Sequence, residues 1–286
     1  MLVIVGLIVV LGSVLLGYTL HGGHVGVLIQ PTELIIIGGA AVGTIIASSP
    51  ASLLKEIAHQ LSGAIKKKET GKAEYTEVLM LLYEIFKTGK GNMLALEPHM
   101  EKPDESAIFK KYPFVLMNHH AVHFIADTMK IQISSPVSPY DLEDLMDADI
   151  KTAHASEFKA VATISRVGDA MPGLGIVAAV LGVVITMGKL TEGKEVIGHS
   201  VAAALVGTFL GILLAYGVFQ PVAAKIELNI DQEGKVMEVI KAGILAFSKD
   251  CAPKVCVEFA RRTIPPFARP DFEEVDSATQ NVKAAA

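Results

Sequence analysis

The sequence predicts an all-α membrane protein with four transmembrane helices and a large helical insertion between the second and third spans. Three observations carry that prediction. Hydrophobic residues make up 51% of the 286 and charged residues only 19%, with a mean hydropathy of +0.46, a balance that membrane spans produce and soluble domains seldom reach. The apolar residues are gathered into four runs. Between the runs the apolar period is helical, and no strand alternation is convincing.

The first run covers residues 2–20 and holds no charge. The second covers about 34–49 and is rich in Ile, Gly and Ala; the third covers about 171–188 and the fourth about 201–219. Each is near the length that an α-helix needs to cross roughly 30 Å of hydrocarbon. The second is the shortest and can adapt by snorkelling at its ends. A cleaved signal peptide is the rival reading of the first run. It fails because a positive n-region is missing and His21-Gly22-Gly23-His24 leads straight into another span. The expected divisions are 1–50 (spans one and two), 51–170 (a helical insertion), 171–222 (spans three and four) and 223–286 (a tail).

Lysine and arginine orient the spans. The loop 21–32 has neither, whereas Lys55, Lys66, Lys67, Lys68 and Lys72 follow the second span, and Lys159 and Arg166 precede the third. The positive-inside rule then places residues 51–170 in the cytoplasm, and Lys225, Lys235 and Lys241 place the tail there too. Both termini are expected to be cytoplasmic. In the short loop between spans three and four, Lys189 and Lys194 are balanced by Glu192 and Glu195. The two cysteines, Cys251 and Cys256, fall on the reducing side, fit no zinc spacing, and read as buried or half-buried thiols. A net charge of -5 excludes the basic footprint of a nucleic-acid protein.

Within the insertion, Val78, Leu81, Leu82 and Ile85 recur at helical spacing, and Pro98 and Pro103 break the chain after them. Ser138-Pro139-Tyr140-Asp141 is a helix start: a capping serine, proline at the first position and an acid in the first turn. From there Leu142, Met146, Ile150, Ala153, Val161 and Ile164 mark one face of a long helix running into the third span.

Few motifs point to chemistry. Gly173-Leu174-Gly175-Ile176-Val177-Ala178 matches a dinucleotide fingerprint in letters only, because it opens a membrane span and follows no strand. With Gly39-x-x-x-Gly43 and Gly207-x-x-x-Gly211 it reads as small residues for close helix packing. His119, His120 and His123 share a short stretch, yet no further ligand at metal spacing completes them. No nucleophile–base pair, P-loop or G-x-S-x-G turn is present, so no enzyme activity, cofactor or metal is expected.

A proton-conducting membrane protein needs a titratable group at depth. Here Glu33 and Asp169 fall at span edges reached by water, and the spans otherwise offer the hydroxyls Thr44, Thr186 and Thr208. If the protein moves ions, the carboxylate is expected from another chain. Pro172 and Pro221 lie at the same end of successive antiparallel spans, where they either mark boundaries or form a deformable ring.

The stretch from Pro172 to Val184, PGLGIVAAVLGVV, resembles the third-span signature of the MotA/PomA family of flagellar stator proteins, and Val206 to Gly217, VGTFLGILLAYG, resembles its fourth. The order of spans, insertion and tail agrees along nearly the whole chain. TolQ/ExbB-type proteins share the energy-coupling logic but have three spans and lack the paired short spans at the start. The resemblance implies a homopentamer in the bacterial inner membrane around MotB, whose single span carries the ion-binding aspartate, with the cytoplasmic domains pushing on the rotor protein FliG. It implies coupling roles for Pro172 and Pro221 and a rotor-facing role for Glu97. The family's arginine falls by spacing on Gly89, leaving Lys90, and Lys87 nearby, as the available cation. Thr186 and Thr208 are the candidate ion-path hydroxyls, with the proton as the expected ion. The rival functions are a non-transporting membrane scaffold and a TolQ/ExbB-like energy-transducing subunit.

Overall fold

The structure is a computed structural model describing residues 2–66 and 69–282; Lys67 and Lys68, used to orient the second span, lie outside the described residues. Every regular element among the described residues is helical. In chain order these are α1 (Leu2–Leu20), α2 (Val25–Leu28), α3 (Pro31–Ser48), α4 (Ala51–Lys66), α5 (Lys72–Gly91), α6 (Glu97–Glu101), α7 (Pro113–Met117), α8 (His119–Ser134) and α9 (Pro139–Met187), followed by α10 (Lys194–Leu214), α11 (Gln220–Ser248), α12 (Pro253–Thr263) and α13 (Phe272–Asn281). Helical stretches long and apolar enough to cross a membrane number four: Leu2–Leu20, Val25–Ser48, Pro139–Met187 and Lys194–Ser248. The chain divides into two compact units, residues 1–67 with 156–229 and residues 68–155 with 230–286. Two of the three boundaries fall inside α9 and α11, and the third falls between residues 67 and 68.

In the first unit, α1 is almost wholly apolar and fully buries none of its residues; Val3, Leu7, Val10 and Val14 form a half-buried face, with Val10 against Gly217, and the opposite face is left for lipid or another chain. The helix α3 buries one stripe, Glu33, Ile37 and Ala41, at four-residue spacing. Its Ile37 and Ala41 meet Val167, Met171, Ala178 and Ala215. Helices α9 and α10 approach at backbone distance through small residues. A β-carbon at Gly211 would lie 2.6 Å from the Met171 carbonyl oxygen, one at Gly175 2.7 Å from the Gly207 carbonyl oxygen, and one at Gly182 2.7 Å from Ala204 Cβ. The glycines singled out in the sequence are therefore the contact itself, which fits a medium where helices associate by close packing rather than by expulsion of water. After α10 the chain widens into a π-helical turn, Ala215–Phe219, before α11 begins. That turn absorbs the missing donor of Pro221 one residue beyond α11's start.

The second unit is built around a core that includes Tyr75, Leu81, Phe86, Phe109, Ile125, Met146, Ile240 and Cys256. The predicted face of α5 is buried at Val78, Leu81, Leu82 and Ile85. The tail segment from Val236 to Val275 contributes to this core. The predicted helix start also forms: the amide of Asp141 donates to Ser138 Oγ at 3.2 Å, and the serine hydroxyl donates to Asp141 Oδ2 at 2.7 Å. Cys256 is fully buried and Cys251 half-buried, both as free thiols. Burial pushes the Cys256 thiol up to about 12, which leaves it unreactive at neutral pH.

Near the C-terminus Glu258 is gripped by two arginines. Arg261 donates from Nε to Oε2 at 2.6 Å and from Nη2 to Oε1 at 2.8 Å, and Arg262 donates from Nε to Oε1 at 2.7 Å. The Arg261 bonds first, then those of Arg262, hold the Glu258 carboxyl down at about 2. The unfolded chain titrates this group near ~4.3, so its stabilisation is complete above that pH and lost as pH falls toward 2. Acid titration of the detergent-solubilised protein, followed by helicity, should show Glu258→Gln less stable at pH 7 and less acid-sensitive between about pH 4.3 and 2. In the first unit, Gly211→Leu should lower the thermal midpoint by the equivalent of about 1–3 kcal/mol, because the α9–α10 contact has no room for a side chain.

Candidate functional site

The residues singled out in spans three and four lie on α9, on α10 and at the start of α11. Pro172 lies inside α9, half-buried, three residues after Asp169. Pro221 is exposed and directly follows Gln220. The Gln220 amide donates to Asp169 Oδ1 at 2.6 Å, so the two proline-bearing turns are joined by a hydrogen bond one and three residues from the prolines. Gly168 keeps the helices close at that level, since a β-carbon there would lie 3.0 Å from Phe219 Cβ. Asp169 is exposed.

The two threonines occupy different levels. Thr208 is half-buried and its Cα would lie 3.3 Å from a β-carbon at Gly175. Thr186 is fully buried, and its hydroxyl donates to the Gly182 carbonyl at 2.8 Å, one turn back along α9. Gly175 and Thr186 are separated by about 16 Å along the helix axis at 1.5 Å per residue. Within one chain the hydroxyls therefore do not converge, and the proton of the Thr186 hydroxyl is committed to the Gly182 carbonyl.

Glu33 corrects the sequence expectation. Placed at a water-reached edge by its position in the first turn of α3, it is instead 6% exposed, and its Oε2 has no hydrogen-bond partner. That oxygen would lie 2.7 Å from a β-carbon at Gly207, where Ala178 Cβ is 3.1 Å and the Ala179 nitrogen 3.2 Å away. A buried acid therefore does sit among the spans, in a slot that exists because residue 207 has no side chain. Sequence distance from a span end measures depth but not direction around the helix. The phase Glu33, Ile37, Ala41 was the available signal, since it puts the carboxyl on the stripe that α3 buries.

In the second unit, Gly89 is buried, and a β-carbon there would meet Leu96 Cδ1 at 2.8 Å and Phe247 Cζ at 3.1 Å. Phe247 in turn stacks on Phe86 with ring centroids 4.8 Å apart. The position that spacing assigned to the family's arginine therefore faces inward. Lys90 faces out and binds Asp250 through both the carboxylate and, at 3.2 Å, the backbone carbonyl. Glu97 is exposed and is not the partner of Lys90. Lys87 donates to the Val282 carbonyl at 3.0 Å and lies over the Tyr83 ring. His119, His120 and His123 are exposed along α8. His120 and His123 line a cavity with Asp127, Asp149 and Met237; among the described residues no group of metal-ligating side chains has metal geometry.

Comparison with known proteins adds a full-length context. The Motility protein A N-terminal family model matches residues 4–92, and the MotA/TolQ/ExbB proton channel family model matches residues 117–239. The chain is 38% identical over 285 residues to Motility protein A of Escherichia coli strain K12, covering 99% of this chain and 96% of the relative. Among solved structures, the C. jejuni MotAB structure superposes with a TM-score of 0.76 at 19% identity, over 92% of this chain and 95% of that one. The flagellar MotAB stator complex from Bacillus subtilis superposes with a TM-score of 0.70 at 22% identity, over 89% and 92%.

The environment of residues 89 and 90 separates structure from surface. Lys90→Ala should change the denaturation midpoint by less than the equivalent of about 1 kcal/mol, as for an exposed ion pair. Gly89→Arg should cost more, about 1–3 kcal/mol, because its side chain has to displace Leu96 and Phe247.

Proposed function

The chain belongs to the motility protein A family, and on that premise we propose that it is the stator subunit that pairs with a MotB-type single-span protein, conducts protons and turns the FliG rotor. The observation that carries this reading is the 38% identity to a motility protein A, sustained over 99% of the chain. Homologous function travels well with similarity that spans all four apolar stretches and the helical unit together.

The geometry supports a division of labour. Helices α9 and α10 form a tightly packed wall, and α1 leaves one apolar face free for lipid or neighbouring copies, as a pentamer in the bacterial inner membrane requires. A MotB-type chain brings the ion-binding carboxylate. Protonation of that carboxylate removes a charge beside the wall, and the segments best built to respond are the proline-bearing turns. Pro172 weakens the α9 hydrogen-bond ladder, and Pro221 follows a π-helical turn whose register can change. The Asp169–Gln220 hydrogen bond makes the two turns move together. Thr186 and Thr208 line this wall at two levels. With both termini cytoplasmic, the second unit meets the rotor, and the exposed Glu97 and Lys90 offer opposite charges to it.

The test is co-expression with the adjacent MotB-type gene in a strain lacking its own stator. Motility should be restored, should persist in sodium-free medium, and should be lost with Pro172→Leu while the protein still accumulates. Deletion of the partner's plug segment should acidify the cytoplasm. A scaffold would restore nothing and acidify nothing, and a speed that follows external sodium would overturn the proton assignment.

A further inference from the structure

The carboxyl of Glu33 has no place in the reading just given, in which the partner chain supplies the acid. It is 94% withdrawn from solvent by its 6% exposure, and its Oε2 has no hydrogen-bond partner. Yet a space is kept for it. Gly207 lies ~20 Å along α10 from Lys194 at 1.5 Å per residue, and a side chain there would occupy the position of Oε2, at 2.7 Å. The neighbouring walls are Ala178 and the backbone of Ala179, within 3.2 Å of the same point. Of these, the Ala178 β-carbon is apolar and the Ala179 nitrogen belongs to the α9 backbone.

No charge compensates it. Within the first unit, the titratable groups on the elements packed around α3 are Lys194, Glu195 and His199 of α10, Glu157, Lys159, Arg166 and Asp169 of α9, Tyr216 of the π-helical turn and His24 before α2; none is a hydrogen-bond partner of Glu33 Oε2 among the described residues. Asp169 is occupied by Gln220. The first turn of α3 presents backbone amides with a favourable dipole for an acid, but Oε2 accepts from none of them. A carboxylate ion left unpaired in such a slot is costly, whereas a carboxylic acid is compatible with it.

We propose that Glu33 is a second proton-binding site of this protein, a carboxyl on the chain's own second span that takes up and releases protons in series with the carboxylate of the single-span partner. The ligand is the proton itself, exchanged through water. In the release step the O–H bond of the Glu33 carboxyl breaks and its proton forms a new O–H bond on a water molecule, giving hydronium and a carboxylate. In the reloading step a hydronium from the other side returns a proton to that carboxylate and leaves water. Charge and atoms balance, and no other reactant is needed. The transit role rests on the stator reading; proton binding by Glu33 does not.

The experiment uses the complex of the full chain with its MotB-type partner, plug deleted, in vesicles carrying a pH-sensitive dye, together with infrared spectroscopy of the same preparation in H2O and D2O. Glu33→Gln keeps the shape of the side chain and fills the same slot without a titratable proton. It should lower proton influx about tenfold or more and remove one deuterium-sensitive carboxylic-acid carbonyl band, while Glu33→Asp should retain the band and part of the flux. Wild-type influx in Glu33→Gln overturns the transit role whether or not the band is lost. Loss of flux with every carboxylic-acid band retained overturns proton binding and leaves Glu33 a packing residue. A wild-type complex that conducts no protons overturns the stator reading, and the band then still decides whether Glu33 binds a proton.

Discussion

The backbone-level contact between α9 and α10 is the constraint on which the first unit depends. Gly175, Gly182, Gly207 and Gly211 remove the side chains that would hold the helices apart, and carbonyl oxygens and α-carbons then approach within van der Waals range. In lipid this contact has to supply what water expulsion supplies elsewhere, through dispersion and geometry. It also sets the register of everything attached to it. Asp169 meets Gln220 at one level, Thr208 faces Gly175 at the next, and Glu33 reaches Gly207 beside Ala178. Shift either helix by one turn and each of these meetings is lost together.

Two buried carboxyls show opposite solutions to the same cost. Glu84, in the second unit, is fully buried but is bound by Lys111 and accepts from the Tyr112 hydroxyl at 3.1 Å. Burial first, and then Glu84, push the Tyr112 phenol well above its ordinary range, so it stays a donor at any physiological pH. That acid is structural and satisfied. Glu33 has comparable burial and no such partners. A buried polar atom without a partner is uncommon in native structures and requires a reason, and here the vacant β-carbon position at Gly207 shows that the slot suits the acid.

Membership of the motility protein A family explains the order of spans, insertion and tail. A longer side chain at position 89 has to displace Leu96 and Phe247, because that face of α5 points into the core. The neighbouring Lys90 carries the exposed cation, tied to Asp250. Lysine presents a compact charge rather than a planar fork.

What the sequence determined was local. Apolar run length set the four spans, the Ser138–Asp141 pattern set the start of α9, and four-residue spacing set the buried face of α5, because each depends only on residues within a turn or two of one another. The glycine motifs likewise announced close packing, though without naming the partner helix. Tertiary structure alone decided which groups meet. It turned Glu33 from a wet edge into a buried slot, paired Lys90 with Asp250 rather than Glu97, kept Thr186 and Thr208 at separate levels, and drew residues beyond 230 into the core of the insertion. Each of these depends on the direction a residue faces around its helix and on what the opposing helix leaves empty, and an absent side chain such as that of Gly207 acquires meaning only when another chain segment is packed against it.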